Sequence, residues 1–515
     1  MLIPFATVLA IDFKPVDSLP GHDLFEGGQV CRLEIKVDAP GLASLRTNPR
    51  EFIRAEIQEG ASSYAHVGVR LKGSVGSFQE VDEKPDLTLD FACFGGSQKF
   101  HGLRRIHLNN SVEDPSYCHE LLGSDLFRAA GVPAPRVAHA VVTLNGRRLG
   151  LFVLKEGATE DFLSCFFKQV GGNLYEPGEG HDVNQRLKRN AVAAPKQNRA
   201  ALQELARAAL ETNAAARWET LEGTLDVREF VDFMIMEVIL DHRDGYSMAR
   251  NNYRVYFDID SDRFVFLPQG MDLLFGHPNA TWQPSLAGLV ARAVIETAQG
   301  RQLYQERFGV LLTNVFHATA LQSRVDQTVA ALRPVLSAQE YADLRQQADL
   351  LKERIARRQI SLQSQLTQPL RQPLAFTNGT ARVGCWTKVD ESPAARLDLC
   401  QIDQAPALRI VAQSDSGASW RAEAFLARGR YRFKARVKVT GVKPLSFGRH
   451  QGAALRIAGQ ELPDSGLTGS SAWRDIAAEF EVKDEAGEVE LICELRAVGG
   501  EACFALDSLK LYQTP

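Results

Sequence analysis

The 515-residue chain has only eight cysteines, and no two are spaced as C-x-x-C. That excludes a zinc site built from paired thiolates. Cys385 with Cys400, or Cys493 with Cys503, lie close enough in sequence to be bridged in an exported chain; buried free thiols are the alternative. No stretch approaches the roughly 20 uncharged apolar residues of a spanning helix. H-E-x-x-H and the Walker pattern G-x-x-x-x-G-K-[ST] are missing, and no G-x-S-x-G sits between a strand and a helix. Metalloprotease and α/β-hydrolase chemistry are therefore disfavoured. A surplus of one charge sign is also lacking. Lys and Arg number 59 against 63 Asp and Glu, for a net charge of -4, which gives no support for nucleic-acid binding.

Hydrophobic residues at 45% and charged residues at 24% describe an ordinary globular protein, and the length calls for two to four domains. The opening run Met1–Ile11 is apolar without a basic n-region or a small-residue cleavage site. It reads as a strand or extended arm, with a remnant export signal as the alternative. Residues 29–37 (QVCRLEIKV) and 64–72 (YAHVGVRLK) alternate as strands, with a short helix expected over Leu42–Arg54 between them. Further strands are expected at Leu87–Phe91 and Leu103–Leu108, and a helix over Ser116–Ala129. Asn145-Gly146, between VAHAVVTLN and RLGLFVLK, marks a tight hairpin. Residues 1–156 thus read as a mainly antiparallel β lobe with one prominent helix.

From 157 to 365 the period becomes helical. Asp226 and Glu229 have capping-box spacing ahead of FVDFMIMEVIL, whose continuous apolar character marks a central buried helix. A hairpin, Tyr253–Phe257 and Arg263–Leu267, is followed by helical patterns over Gln302–Leu321, Val325–Arg333 and Ala338–Arg358. Arg357-Arg358 reads as cations complementing the end of that last helix. His139 and His317 read as packing residues. Residues 366–380 are a linker by composition, and 381–515 show only short alternating runs, an antiparallel sandwich. Trp386, Trp420, Tyr431 and Trp473 offer either a sugar-binding platform or core packing. The fold class is therefore α+β, with two lobes followed by an all-β jelly roll.

The sharpest chemical feature is Asp241-His242-Arg243-Asp244-Gly245 directly after the buried helix, then Asn251-Asn252 at the start of the hairpin and Asp272 just past its end. If the hairpin is centred near Asp260, Asn252 and Asp272 are neighbours. One carboxylate to orient a hydroxyl, with a second carboxylate and an amide oxygen to hold magnesium, suits phosphoryl transfer. Asp244 is the candidate for the first role. Asp272 and Asn252, with Asn251 beside it, are candidates for the second. A helix end and capped turns around a hairpin would use the same residue types. In the small lobe, Arg70 and Lys72 share a strand face and lead into Gly73-Ser74-Val75-Gly76, a turn able to present N–H groups and charge to phosphates. Ser74 belongs to that turn, Lys84 follows it, and Glu120 on the lobe's helix is placed to align a lysine. Glu156 begins the crossover between lobes, where an adenine or ribose would lie. Each of these has a plain reading as a solvated surface or hinge residue.

Taken together, VGVRLKGSVGSF, EKPDLTLDF, FHGLRRIHLNN, DPSYCHELLGSDLFRAAGVPAPR, LNGRRLGLFVLKE, GGNLYEP, DHRDG, RNNYRVYFD and LPQGMDLLFG resemble the CotH spore-coat kinase family in the order of their blocks, over about residues 30–290. The resemblance implies an atypical protein-kinase-like fold and transfer of the γ-phosphate of ATP, with Mg2+ or Mn2+, to serine or threonine of a protein at an extracytoplasmic or spore surface. It places the family's functional positions on Asp244, Asn252 with Asn251, Asp272, Arg70, Lys72, Lys84 and Glu156. One departure is Gln269-Gly270 where the family usually has Trp-Asp, which removes one acid near the metal. Asp258, Asp260 or Asp262 could supply it, or simply form a solvated turn. A catalytically silent surface protein and a nucleotidyl or glutamyl transferase remain the alternatives. The last domain resembles galactose-binding-like jelly rolls, which implies a surface polysaccharide as a possible partner.

Overall fold

The computed structural model describes residues 19–74, 76–178, 180–185, 188–190, 199–367, 373–389, 394–403, 405–445, 451–458 and 466–514. Met1–Ile11 and Val75 lie outside these residues. The chain divides into two compact units, Met1–Gln368 and Pro369–Pro515.

The first unit opens with α1 (His22–Glu26), β1 (Cys31–Lys36), α2 (Ala39–Thr47), β2 (Ile53–Glu59), β3 (Ser62–Leu71), β4 (Leu87–Asp90), β5 (Arg105–Asn109), α3 (His119–Ala129), β6 (Val137–Leu144) and β7 (Arg147–Glu156). The seven strands close into a barrel in the order β1-β2-β3-β4-β5-β7-β6. The antiparallel pairings of the sequence reading are supplemented by a parallel one, β1 with β6, which closes the ring. Alternation places Val69, Leu71, Leu87, Leu89, Ile106, Leu108 and Leu154 in the barrel core. The helix expected over Leu42–Arg54 is shorter and earlier. Asp38 caps it by accepting from the Gly41 N–H at 2.8 Å, with proline in the first turn. Ile53 onward alternates in burial as the strand β2.

The helix-rich region comprises α4 (Glu160–Leu163), β8 (Leu174–Glu176), β9 (Lys188–Asn190), α5 (Arg199–Leu210), α6 (Ala214–Thr224), α7 (Val227–Ile239), α8 (Tyr246–Ala249), β10 (Tyr253–Asp258), β11 (Arg263–Pro268), α9 (Leu289–Ile295), α10 (Ala298–Asn314), α11 (Ala318–Leu332) and α12 (Ala338–Thr367). Asp226 caps α7 by accepting from the Glu229 N–H at 3.1 Å, and α7 is buried on nearly every side. The continuous helix expected over Gln302–Leu321 is broken at 315–317. His317 there is exposed as the residue ahead of α11 rather than packed inside. Arg358 does not end its helix. It is fully buried and donates to the carbonyls of Val238 (2.6 Å) and Ile239 (3.1 Å), so its charge meets the C-terminus of α7 instead.

The second unit contains β12 (Thr380–Arg382), β13 (Thr387–Val389), β14 (Ala395–Ile402), β15 (Ala405–Ala412), β16 (Ser416–Pro444), β17 (Gly452–Ile457), β18 (Gly469–Ala505) and β19 (Lys510–Thr514), an all-β sandwich. Trp420 and Tyr431 are buried in its core, and Trp386 stacks on Phe433. Trp473 is half-buried and donates its indole N–H to Asp403 at 2.8 Å. All eight cysteines are free, and neither expected disulfide is formed.

Candidate functional site

The end of α7 and the end of the β10–β11 hairpin are bound to each other. Leu240 O accepts from Phe275 N (2.8 Å), His242 Nε2 meets Gln269 O (3.1 Å), and Asp241 accepts from His277 N (2.7 Å). Buried Glu237 accepts from the N–H groups of Tyr246 (2.7 Å) and Ser247 (2.9 Å), which fixes the turn carrying Asp244. Burial keeps His242 below its ordinary pKa, so it works as a neutral strut.

Asp244 is half-exposed. It accepts from Asn251 at 3.1 Å through each oxygen and from Asn252 Nδ2 at 2.6 Å. Asn252 is left-handed (φ 48°), as is Gly270 (φ 51°), and the two lie against each other. A Cβ at position 270 would come within 2.3 Å of Asn252 Oδ1. The missing acid at 270 thus coincides with a cradle filled by an amide oxygen.

Asp272 has its carboxyl pushed up to about 7, first by burial, then by Glu120 and Glu113, with Lys72 opposing. Glu113 hydrogen-bonds Asp272, and its carboxyl is raised by burial and by Asp244 and Asp86. Its Oε1 also lies where a Cβ on Gly76 would fall, 2.5 Å away, so the glycine-serine turn reaches the same spot. Glu113 therefore joins the small-lobe turn to both Asp244 and Asp272.

The other candidate positions separate. Lys72 Nζ pairs with Asp86 at 3.2 Å and remains within reach of Asp272. Lys84 is boxed in, donating to Tyr117 Oη (2.7 Å) and Asn110 O (2.9 Å); burial pulls its pKa down to about 8. Ser74 is exposed in the turn. Glu120 pairs with buried Lys155 at 2.7 Å and accepts from Met271 N at 3.2 Å, which fixes the residue before Asp272. Glu156 is fully buried with both oxygens engaged by Arg136, which makes it a strut at the crossover. Arg70 stacks on Phe52 at 4.7 Å; burial and Arg105 hold its pKa below the ordinary value, with the charge of Glu176 opposing. Asp258 and Asp260 bond within or beside their own turn, at the far end of the hairpin from Asn252, roughly 17 Å along the strands.

Sequence reasoning passed over Glu113 and Lys155. Lys155 carried a readable signal, because a lysine inside an apolar strand needs a buried partner. Glu113 carried none, since an acid ahead of Asp114-Pro115 looks like a helix start.

Among the described residues no three His, Cys, Asp or Glu side chains converge to hold a metal ion by themselves. The donor set of Asp272 with the amide oxygen of Asn252 still fits Mg2+, which takes one or two carboxylates and completes its shell with water and phosphate.

The chain matches the family described as CotH kinase protein over residues 69–359. It is 24% identical over 301 residues to Invasin CotH2 of Rhizopus delemar, covering 51% of this chain and 49% of that one. Over 269 residues it is 20% identical to the Inner spore coat protein H of Bacillus subtilis, covering 47% of this chain and 71% of that protein. The match thus spans about half the length of the invasin. Among solved structures it is similar to the Helicobacter pylori proinflammatory kinase CtkA, at 8% identity and a TM-score of 0.25, over 60% of this chain and 90% of that one. The second unit is similar to TmCBM61, solved with β-1,4-galactotriose, at 15% identity and a TM-score of 0.19, over 27% of this chain and 92% of that one. With the family match covering more than half of its residues, the chain belongs to the CotH kinase protein family.

Proposed function

We propose that this protein is a divalent-cation-dependent protein kinase that transfers the γ-phosphoryl group of ATP to a serine or threonine hydroxyl. The observation that carries this reading is a local surplus of carboxylates. Asp244, Asp272 and Glu113 make no ion pair with Lys or Arg among the described residues, yet Glu113 hydrogen-bonds Asp272 and its carboxyl is raised by the charge of Asp244. Carboxylates this close repel unless a cation or a shared proton lies between them. Asp272 and Asn252 are the residues that would hold the cation. When bound it would neutralise phosphate charge developing in transfer.

The chain's own residues perform the rest. Asp244, held by two amides, orients the acceptor hydroxyl and takes its proton. Lys72 brings positive charge beside Asp272 from the roof. Glu120 and Lys155 fix the backbone at Met271 and so the position of Asp272. The names of an invasin and an inner spore coat protein among the relatives support a surface or coat location and a protein acceptor there. The second unit would then be an attachment module for a surface polysaccharide.

A second reading, a catalytically silent member, is favoured by Gly270. Incubation with γ-labelled ATP, Mg2+ or Mn2+ and a serine-rich acceptor decides between the two. Label transfer lost in Asp272→Ala supports the kinase, and nucleotide binding without transfer supports the silent reading. Acceptor labelling from α-labelled ATP would replace both with nucleotidyl transfer.

A further inference from the structure

Three residues of α3 touch the segment that carries Asp272. His119 and Gly123 are one helical turn apart and Glu120 lies beside them, so all three share a face. The His119 ring reaches Asp272 O with its Nδ1 at 2.6 Å. A carbonyl oxygen only accepts, so Nδ1 carries the proton. Glu120 accepts from Met271 N at 3.2 Å. Gly123 lets the helix backbone approach the same segment: a Cβ there would lie 2.8 Å from Leu274 Cδ1 and 2.9 Å from Met271 Sδ. Glycine weakens a helix interior, and this close approach is what it permits in return.

His119 is itself fixed. It is 6% exposed, its backbone N–H donates to Asp114 Oδ2 at 2.8 Å, and Asp114 Oδ1 lies 3.7 Å from its Nδ1. Its ring meets Phe275 edge-on, with centroids 6.2 Å apart. Phe275 has a left-handed backbone (φ 59°), which is unfavourable for a bulky side chain. It is kept there between the rings of His119 and Phe316 and by Leu240 O, which accepts from Phe275 N at 2.8 Å. Strained backbone of this kind persists only where its surroundings over-determine it. Every one of these contacts is between groups of the chain itself.

We infer that His119 is a positioning residue for Asp272. The α3 face formed by His119, Glu120 and Gly123 fixes residues 271–275, so the carboxylate is in place before nucleotide or cation arrives and α3 need not move to assemble the site. The use made of that carboxylate rests on the kinase reading above; the grip on the segment does not.

Hydrogen exchange over residues 269–277, followed by mass spectrometry without nucleotide or metal, compares the unaltered chain with His119→Leu and His119→Asn. Asparagine places an amide N–H where Nδ1 stands, whereas leucine offers no donor. The Met271 and Phe275 amides should be protected in the unaltered chain. His119→Leu should speed exchange in the segment about 3-fold to 10-fold and weaken Mn2+–ATP binding, read by electron paramagnetic resonance, by a similar factor. His119→Asn should recover most of both. A packing role alone would leave asparagine as defective as leucine, because both vacate the place of the ring. Exchange within twofold of the unaltered chain in His119→Leu overturns the inference, as do equal defects in the two variants or unchanged Mn2+–ATP affinity despite faster exchange. If the unaltered chain binds no Mn2+–ATP, the kinase reading falls, and the exchange rates still decide whether His119 holds the segment.

Discussion

Replacing Lys155 by methionine keeps the methylene volume of the side chain and removes its charge. Lys155 and Glu120 are each about 3% exposed as side chains and sit 2.7 Å apart. The variant leaves Glu120 with only Asn109 Nδ2 (3.2 Å) and Met271 N (3.2 Å) as donors. Breaking a buried pair from one side costs about 3–5 kcal/mol, a large part of the roughly 5–15 kcal/mol that holds a domain together. A buried carboxylate without its cation is penalised only in its charged form. Stability from such a group is present at low pH and lost as pH rises. Lys155→Met should therefore be less destabilised at pH 5 than at pH 8. Urea unfolding followed by circular dichroism at 222 nm reads this cleanly, because every α-helix of the described residues lies in the first unit. Lys155→Met with Glu120→Gln, which removes the charge from both sides, should recover part of the loss. A cost below about 1 kcal/mol, or the same cost at both pH values, would refute a buried, mutually dependent pair.

Gly270→Asp, which restores the family's acid, should lower Tm and weaken nucleotide-dependent Mn2+ binding, since its Cβ displaces Asn252 and its backbone takes about 1 kcal/mol of left-handed strain; tighter Mn2+ binding at unchanged Tm would contradict this. Arg358→Met strands carbonyls at the end of α7 and at Pro278 and Ala280, and should cost at least about 3 kcal/mol by urea unfolding. His101 bridges Asp23 of α1 and Glu59 of β2; burial lowers its pKa, but hydrogen bonds to both acids raise it overall above 6.5. The anchorage of α1 is then full below that value and lost as pH rises through the raised one, so hydrogen exchange in α1 should gain more protection from acidification than in His101→Gln.

Alternation and turn chemistry made the Asn145-Gly146 hairpin, α7 and the β10–β11 hairpin legible, because local residues decide each of them. The split between α10 and α11 was not legible, since VFHA continues a helical apolar rhythm, whereas the Ala318 N–H that opens α11 donates to Gln359 of α12 at 2.6 Å, a partner 41 residues away. The parallel β1–β6 pairing leaves no local mark either, because it depends on strands far apart in sequence. For the site, the order of Asp244, Asn252 and Asp272 along the chain was enough to suggest proximity. The sequence could not tell that Lys84 and Glu156 spend their polar atoms on Tyr117 and Arg136, or that Glu113 reaches across from the small lobe. Both depend on side-chain direction.

The parallel strand pair that closes the barrel sets Cys31 opposite Ala140, whereas the family match begins at residue 69, inside β3. A chain trimmed to those bounds would lose β1, β2 and all of β3 but its last three residues and open the ring, exposing raw strand margins on β4 and β6 with unsatisfied amides and carbonyls. Such a fragment would be prone to aggregate through those margins, and any expression trial must keep the preceding strands to obtain the closed barrel.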